Sequence, residues 1–369
     1  MAIYSYDETI KACQSCLLCR HACTVTNVTF MDTTLPRGKA LLLHATEKGL
    51  LDWDRRVVEV MYQCTNCHLC REWCVKGWDI APLMMAARAE ITGKSLEPES
   101  VRNVRDVLLK SGNPYGEKGS QFEQWLGKFS LPEEAPLLYL AGSTAGYRQA
   151  KVAQAAVEVL RKAGIGFAVL RPEPDAGELL YLLGYREEAR LAARRTLDRI
   201  RASGAEKVVS SDPSLVEAFR HSYHEWGVQL PEDVRFLHIS ELIAEELANG
   251  NIHPGRPLAM SVTYHDPCLL GRELEVFEAP RRVIQALPGV ELREMRLNRE
   301  HSPCCGHGGG VPFTNPVIAT GAGVNAAGIV QETGAQALVT ACPSCKASFS
   351  RHLQGMEVID LAELVLRAL

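Results

Sequence analysis

The sequence predicts an α+β protein in which an all-helical N-terminal domain precedes two repeated α/β domains with parallel sheets. Two observations lead to this prediction. The first 130 residues combine helical apolar patterns with two cysteine motifs, whereas the later part alternates short apolar strands with amphipathic helices. The expected domains cover residues 1–130, 137–250 and 258–369, a division that suits a chain of 369 residues.

The composition is that of a soluble globular protein. The net charge is −4 and no basic stripe is present, so there is no reason to expect a nucleic-acid partner. The N-terminus lacks the charged and apolar segments of a signal peptide, and no apolar run approaches the ~18–20 residues that cross a bilayer. We therefore expect a cytoplasmic protein that reaches a membrane only through a membrane-subunit partner.

All 13 cysteines fall into three motifs, of four, four and five residues. In a reducing compartment such clusters bind metal more often than they form disulfides. The first two motifs share the spacing C-x2-C-x2-C-x3-C, and their members are Cys13, Cys16, Cys19 and Cys23, then Cys64, Cys67, Cys70 and Cys74. This is the spacing of paired four-iron ferredoxin sites. Zinc suits a single CxxC, but the repeated fourfold spacing favours iron–sulfur clusters.

In paired ferredoxin sites the fourth cysteine of each motif binds the neighbouring cubane. We therefore expect two [4Fe-4S] cubanes, one on Cys13, Cys16, Cys19 and Cys74, the other on Cys64, Cys67, Cys70 and Cys23. Thr24 and Val75 stand where bacterial ferredoxins usually have proline. The spacer between the motifs has helical patterns at 38–43 and 57–61, and another helix is predicted over 81–91, so this domain is expected to be all-helical.

Residues 94–136 are interpreted as a linker that packs onto the next domain. They contain a predicted helix over 97–110, followed by the turn signals Gly112-Asn113-Pro114-Tyr115-Gly116 and 132–136.

The two later domains repeat one order of strands and helices. Strands are predicted at 137–141, 167–170 and 207–210, and again at 260–264, 290–295 and 337–340, with helices at 151–163, 186–203, 279–287 and 325–332. At an offset of about 125 residues Leu138-Tyr139 falls on Thr263-Tyr264, and after one gap Asp212-Pro213-Ser214 falls on Cys342-Pro343-Ser344. The alternative is the ordinary likeness of any two α/β units.

This overlay places five residues of the first α/β domain on cysteines of the second: Ser143, Leu179, Leu180, Asp212 and Leu215. Leucine is not an iron ligand, and the two leucines would fill the space with hydrocarbon. We therefore expect no cluster in residues 137–250.

The third motif consists of five cysteines within 78 residues: Cys268, Cys304, Cys305, Cys342 and Cys345. They follow predicted strands, and sites of parallel sheets lie at the carboxyl ends of strands. Four thiolates saturate a cubane, so five imply a spare resolving thiol, an additional bridging ligand or two sites.

Several other interpretations of this region stay open. Zinc and a redox disulfide between Cys342 and Cys345 are the alternatives to an iron–sulfur site. The glycines at 306–310 would let backbone N–H groups approach sulfur. His265, His307 and Asp212 are the candidate catalytic residues, and the histidines are expected to support the ligands or to supply a proton.

The string 264–272 (YHDPCLLGR), with Cys304-Cys305-Gly306 and Cys342-Pro343-Ser344-Cys345, resembles the cysteine-rich CCG domain. That domain occurs in heterodisulfide reductase subunits of the B and D types and in iron–sulfur subunits of glycolate oxidase, anaerobic glycerol-3-phosphate dehydrogenase and lactate utilisation. The iron–sulfur subunit of class II benzoyl-CoA reductase is similar too. The segments Leu35-Pro36-Arg37-Gly38-Lys39 and 112–116 resemble the fused D type, and the likeness covers nearly the whole chain.

The resemblance implies one noncubane [4Fe-4S] cluster on the five cysteines of 258–369, a ferredoxin domain in 1–130 and a degenerate CCG domain in 137–250. Heterodisulfide reductase cleaves a disulfide between two noncubane clusters, whereas this chain has one set of ligands. We therefore expect an oxidoreductase subunit of anaerobic metabolism that transfers electrons within a heterodisulfide-reductase-like complex. Its partner would be a flavoprotein or another iron–sulfur subunit.

Two further hypotheses belong to other classes. In one, the noncubane cluster reduces a disulfide in a pocket lined by Ser143, Ser210, Ser211 and Asp212. In the other, the cysteines bind zinc and the chain is a structural scaffold.

Overall fold

The N-terminal region of the computed structural model is helical, as predicted. The structure describes residues 3–127, 129–132 and 134–369, without the side chain of Glu123. The helices of the N-terminal region and of the segment that follows it are α1 Asp7–Cys13, α2 Thr26–Thr29, α3 Pro36–Glu47, α4 Arg55–Tyr62, α5 Leu69–Glu72, α6 Ala81–Gly93, α7 Glu99–Ser111 and α8 Gly119–Phe122.

Local sequence signals explain where the principal helices begin and which faces they bury. Helix α3 has proline at its first position, where the missing N–H costs nothing. Helix α4 is capped by Asp54, whose carboxylate accepts the N–H of Val57. Met61 of α4 and Met84 of α6 are fully buried against each other's helices, so the two cysteine loops hang on a packed helical core.

The first α/β domain contains a four-stranded parallel sheet in the order β2-β1-β3-β4. Its elements are β1 Leu137–Leu140, α9 Ser143–Tyr147, α10 Ala150–Lys162, β2 Ala168–Val169, α11 Glu178–Leu183, α12 Arg186–Ala202, β3 Lys207–Ser210, α13 Pro213–Glu217, α14 Tyr223–Glu225, β4 Arg235–His238 and α15 Ile239–Ala248.

The second α/β domain repeats this sheet in the order β6-β5-β7-β8, again parallel throughout. Its elements are β5 Met260–His265, α16 Glu278–Gln285, β6 Val290–Leu292, α17 Val311–Thr314, α18 Pro316–Gln331, β7 Ala337–Thr340, α19 Pro343–His352, β8 Glu357–Asp360 and α20 Leu361–Ala368.

The predicted fold class is confirmed, and the differences concern element ends. The third strand prediction of the second domain was too long, because β6 stops at Leu292. Helix α18 begins at Pro316, well before the predicted 325. The fourth strand of each sheet was not predicted, since each has only four residues and runs directly into a helix.

The first sheet packs on both of its faces. Leu138, Leu140 and Val208 share a core with the N-terminal helices. On the other face, Tyr139 and Val209 join the core of the second α/β domain. The first α/β domain therefore holds the other two parts of the chain in a fixed relation. Among the described residues no helix is long and apolar enough to span a bilayer.

Candidate metal centres

The first four-cysteine motif lies near the surface at the end of α1. Cys16 is exposed, whereas Cys13 and Cys19 are half-buried. Burial raises the pKa of Cys13 to about 11, and the charges of Cys74 and Cys16 add to the rise. Burial likewise raises the pKa of Cys19 to about 12, with Cys74 among its charged neighbours. The structure thus brings Cys74, from the second motif, to the first.

The second motif occupies a tight loop between α4 and α5. Asn66 and His68 adopt positive φ angles of 49° and 59°, which turn the loop so that its thiols converge. Burial raises the pKa of Cys70 well above its usual value, and the charges of Asp79, Cys67, Cys64 and Cys23 raise it further. Cys23 of the first motif therefore stands beside the second, an arrangement that the crossed ligand assignment requires.

The third motif gathers at the carboxyl ends of β5 and β7. Cys268 follows β5 and precedes a π-helical turn, Leu269–Glu273. Cys342 is the N-cap of α19, where its sulfur accepts the N–H of Cys345 at 3.5 Å. The sulfurs of Cys305 and Cys345 are 3.2 Å apart, and Cys304 lies within hydrogen-bonding reach of both Cys268 and Cys305. The structure therefore brings all five predicted residues together.

The glycine-rich segment after Cys305 serves a closer contact than sequence reasoning expected. A Cβ on Gly308 would lie 2.3 Å from the carbonyl oxygen of Thr65, and one on Gly309 would lie 2.4 Å from that of Cys64. The prediction had these glycines approach sulfur, and only Gly306 does so, its N–H pointing to Cys304 at 3.4 Å. The others let the second cysteine loop pack directly on the third site.

Sequence reasoning missed the contact that this packing creates. The thiol of Cys304 lies within hydrogen-bonding reach of Cys67 and 3.7 Å from the hydroxyl of Thr65. A hydrogen bond from Cys304, together with the charge of Arg272, lowers the pKa of Cys67 well below its usual value. The second and third sites are thus direct neighbours, although 239 positions separate Thr65 from Cys304.

The donors at all three sites suit iron–sulfur clusters. Every cysteine is free, and thiolate is the preferred ligand of such clusters. At the third site the hydroxyl of Tyr264 is buried without a hydrogen-bond partner among the described residues. Burial raises the pKa of Tyr264, and the charges of Asp266 and Cys345 contribute. An orphaned donor next to these thiols fits a site that offers it sulfur.

The catalytic candidates occupy different surroundings. His265 is fully enclosed: Nε2 meets the carbonyl of Pro303 at 2.9 Å and Nδ1 meets Thr340 Oγ1 at 3.4 Å, so the ring fixes the loop that carries Cys304. Burial lowers the pKa of His265 and of His307. The charge of Cys305 opposes the shift in both histidines.

Asp212 is the buried N-cap of α13 and accepts both the N–H and the hydroxyl of Ser214. Burial raises the pKa of its carboxyl group. The serines expected to line a pocket here are bonded within the protein: Ser211 meets the hydroxyl of Tyr139 at 2.7 Å, and Ser210 accepts the N–H of Asp212.

A chain of hydroxyl groups links the linker to the third site. Tyr115 Oη lies 2.9 Å from Thr144 Oγ1, which lies 3.2 Å from Ser344 Oγ, between Cys342 and Cys345 in sequence. The sequence marked Tyr115 only as part of a turn. On another side, a cavity of about 120 Å³ reaches Cys304 and is lined in part by His21, Trp73 and His301.

Two family models match the chain. The cysteine-rich domain CCG matches residues 262–350, and a 4Fe-4S dicluster domain matches residues 9–78. The D-type subunit of dihydromethanophenazine:CoB–CoM heterodisulfide reductase from Methanosarcina barkeri is 32% identical over 84% of this chain and 78% of that protein. The chain belongs to the family of D-type heterodisulfide reductase subunits.

Other relatives extend this picture. The B-type subunit of fumarate reductase (CoM/CoB) from Methanothermobacter marburgensis is 24% identical over 98% of this chain and 73% of that protein. An EtfAB:quinone oxidoreductase from Syntrophomonas wolfei is 27% identical over 88% of this chain and 48% of that protein. A Helicobacter pylori protein of solved structure shares the fold, with a TM-score of 0.59 and 10% identity, covering 99% of this chain and 75% of that one.

These matches establish an iron–sulfur protein with an electron-transfer role, as the sequence predicted. They also place this member of the D-type heterodisulfide reductase family among the components of larger redox complexes.

Proposed function

We propose that the chain is an electron-transfer subunit with two [4Fe-4S] cubanes and one noncubane [4Fe-4S] cluster, and that it conducts electrons between a redox partner and the third site. The contact between Cys67 and Cys304 carries this proposal, because it makes the second and third ligand sets adjacent. Clusters held at these residues would supply one-electron transfer over a short distance.

The ligands follow the crossed assignment. Cys13, Cys16, Cys19 and Cys74 hold the first cubane, and Cys64, Cys67, Cys70 and Cys23 hold the second. The noncubane cluster is held by Cys268, Cys304, Cys305, Cys342 and Cys345. The proximity of Cys74 to Cys13 and of Cys23 to Cys70 supports this partition.

The first site is the proposed point of contact with the partner, a flavoprotein or another iron–sulfur subunit. Cys16 is exposed, and the neighbouring Leu17 and Leu18 are 47% and 53% exposed. The third site is enclosed: four of its cysteines are buried. Electrons therefore enter at a surface and are delivered to an interior site.

The test is anaerobic purification followed by iron and sulfide analysis and EPR. Three four-iron clusters give about 12 iron atoms per chain. We expect Cys305→Ala to remove the signal of the third cluster and to leave the signals of both cubanes. About 8 iron atoms together with bound zinc would contradict the noncubane assignment.

The second candidate function, reduction of a small disulfide at the third site, has one specific observation in its favour. Reducing a disulfide to two thiols consumes two electrons and two protons. The chain Tyr115–Thr144–Ser344 offers hydroxyl groups that can pass protons towards the site. A small disulfide should then change the EPR spectrum of the third cluster, and Tyr115→Phe should slow thiol formation. An unchanged spectrum would leave electron transfer alone.

A further inference from the structure

Five lysine and arginine side chains are buried in the part of the chain that the structure describes: Lys39, Arg88, Arg272, Arg281 and Lys346. A buried cation is expensive unless an anion accompanies it. These five side chains differ in whether such an anion is supplied by the protein.

Two of the five have carboxylate partners. Arg281 forms a bidentate pair with Asp266, at 2.6 and 2.9 Å, and a second pair with Glu294. Lys346 forms an ion pair with Glu363. Both lie in the second α/β domain, and in both cases the charges are balanced within the protein.

The other three, which we call the unpaired cations (Lys39, Arg88 and Arg272), bind backbone carbonyls and form no ion pair with a described Asp or Glu. They are 1%, 0% and 5% exposed, so water does not compensate their charges either. Their common feature is position, because all three surround the second cysteine site.

Lys39 stands next to the crossed ligand. Its ammonium group donates to the carbonyl oxygen of Thr34, and the sulfur of Cys23 lies 4.0 Å from the same oxygen. Burial raises the pKa of Cys64, and the charge of Lys39 opposes that rise. This lysine belongs to the segment Leu35-Pro36-Arg37-Gly38-Lys39 that the sequence marked without giving it a role.

Arg88 joins three parts of the chain at the second site. Its Nη2 donates to the carbonyl of Cys64 at 2.7 Å, and Nη1 donates to those of Leu182 at 2.8 Å and Gly309 at 3.1 Å. Its Nε donates to the carbonyl of Met61 at 3.0 Å. Carbonyl dipoles orient the guanidinium but leave its net charge uncompensated.

Arg272 lies between the second and third sites. Its Nε donates to the carbonyl of Cys67 at 2.6 Å, and Nη1 donates to those of Ser302 and Glu300 at 2.9 and 3.0 Å. Its Nη2 is buried and has no hydrogen-bond partner among the described residues. A donor left open beside Cys67 and Cys268 points to sulfur as its missing acceptor.

We propose that the unpaired cations are positioning residues that balance the negative charge of the cluster held by Cys64, Cys67, Cys70 and Cys23. Because reduction adds one negative charge there, we propose that they also make this site easier to reduce than the first. The inference rests on the proposed function, which places a cubane at each site. None of the five buried cations adjoins the first site, and charges near exposed Cys16 are screened by water. An electron that enters at the surface is thereby drawn inward.

The test is an EPR-monitored redox titration of the holoprotein, with the signals assigned through Cys64→Ser, which removes the second cubane. Lys39→Met and Arg272→Met should each shift electron sharing between the two cubanes by about tenfold towards the first, a change of about 59 mV for one electron. Arg272→Lys keeps the charge and should restore most of the difference. Lys94→Met, at a lysine whose side chain is 49% exposed in the same helical region, is the matched control and should change nothing.

An unchanged difference in potential in both methionine variants, at full iron content, would overturn the inference while leaving the proposed function intact. Failure of the proposed function would show instead in the iron count of the unmodified chain. If Lys39→Met loses the second cubane, recovery of that iron in Lys39→Arg supports the counter-charge role, and no recovery refutes it for Lys39.

Discussion

In the first α/β domain the helix after β3 begins at Asp212, and in the second the helix after β7 begins at Cys342. Both residues cap their helices with the side chain, one through a carboxylate and the other through sulfur. The surrounding sheets have the same order and direction. Because the backbone frame is shared, the difference between the domains is confined to the side chains at the ends of the strands.

The same contrast extends one residue back and into the sheet. Ser211 accompanies Asp212 and meets the hydroxyl of Tyr139, whereas Ala341 accompanies Cys342 and leaves the hydroxyl of Tyr264 without a partner among the described residues. The first domain thus satisfies its own polar groups, and the second leaves one open beside its thiols. The comparison teaches that one domain is finished as protein and the other requires a ligand.

The largest effect is expected from substituting the two helix caps. Cys342→Ala should eliminate the third cluster and reduce the iron content by about a third, whereas Asp212→Ala should leave the iron content unchanged. Iron and sulfide analysis with EPR checks both variants after anaerobic purification. Loss of iron in Asp212→Ala would show that the first domain also takes part in binding.

A smaller effect is expected where leucine stands in place of a cysteine. Leu180 is buried in the core that the first sheet shares with the N-terminal helices, and Leu180→Ala should lower the free energy of unfolding by about 2–5 kcal/mol. Thermal unfolding at constant iron content measures this. Leu179→Ala, at a half-buried position, is the matched control and should cost less. Equal costs would mean that Leu180 does not fill the space that Cys305 occupies in the second domain.

The fourth strands end in caps with opposite responses to pH. Burial lowers the pKa of His238 to about 3, so its unfolded form gains a proton first and stability falls as the pH drops below about 6.5. Burial raises the pKa of Asp360 to about 7, so stability falls as the pH rises from about 4 towards 7.

Asparagine caps helices well, so His238→Asn and Asp360→Asn isolate these ionisations. Each should remove a slope of at most about 1.4 kcal/mol per pH unit, the first on the acid side and the second towards neutrality. Urea unfolding midpoints at several pH values would show this. Slopes of the same sign in both variants would contradict the comparison.

Local sequence signals were sufficient for the fold class and for the three cysteine sets. The spacing of Cys64, Cys67 and Cys70 is a property of one loop, and an apolar strand such as 207–210 is visible in its own residues. The adjacency of Cys67 and Cys304 is not, because it depends on how Gly308 and Gly309 let two distant loops meet. Hydroxyl pairs such as Thr144 with Ser344 depend on the same packing of whole domains.

The smallest effect is expected at the paired tyrosines of the central strands. Tyr139→Phe leaves the hydroxyl of Ser211 without its partner and should cost about 1–3 kcal/mol of stability, with unchanged cluster spectra. Tyr264→Phe removes a hydroxyl that has no described protein partner, so it should cost less stability. Because that hydroxyl is a donor next to Cys345, its loss should instead alter the EPR signal of the third cluster. If the two variants behave alike, the open donor of the second domain does not serve a ligand, and the difference between the domains lies in the cysteines alone.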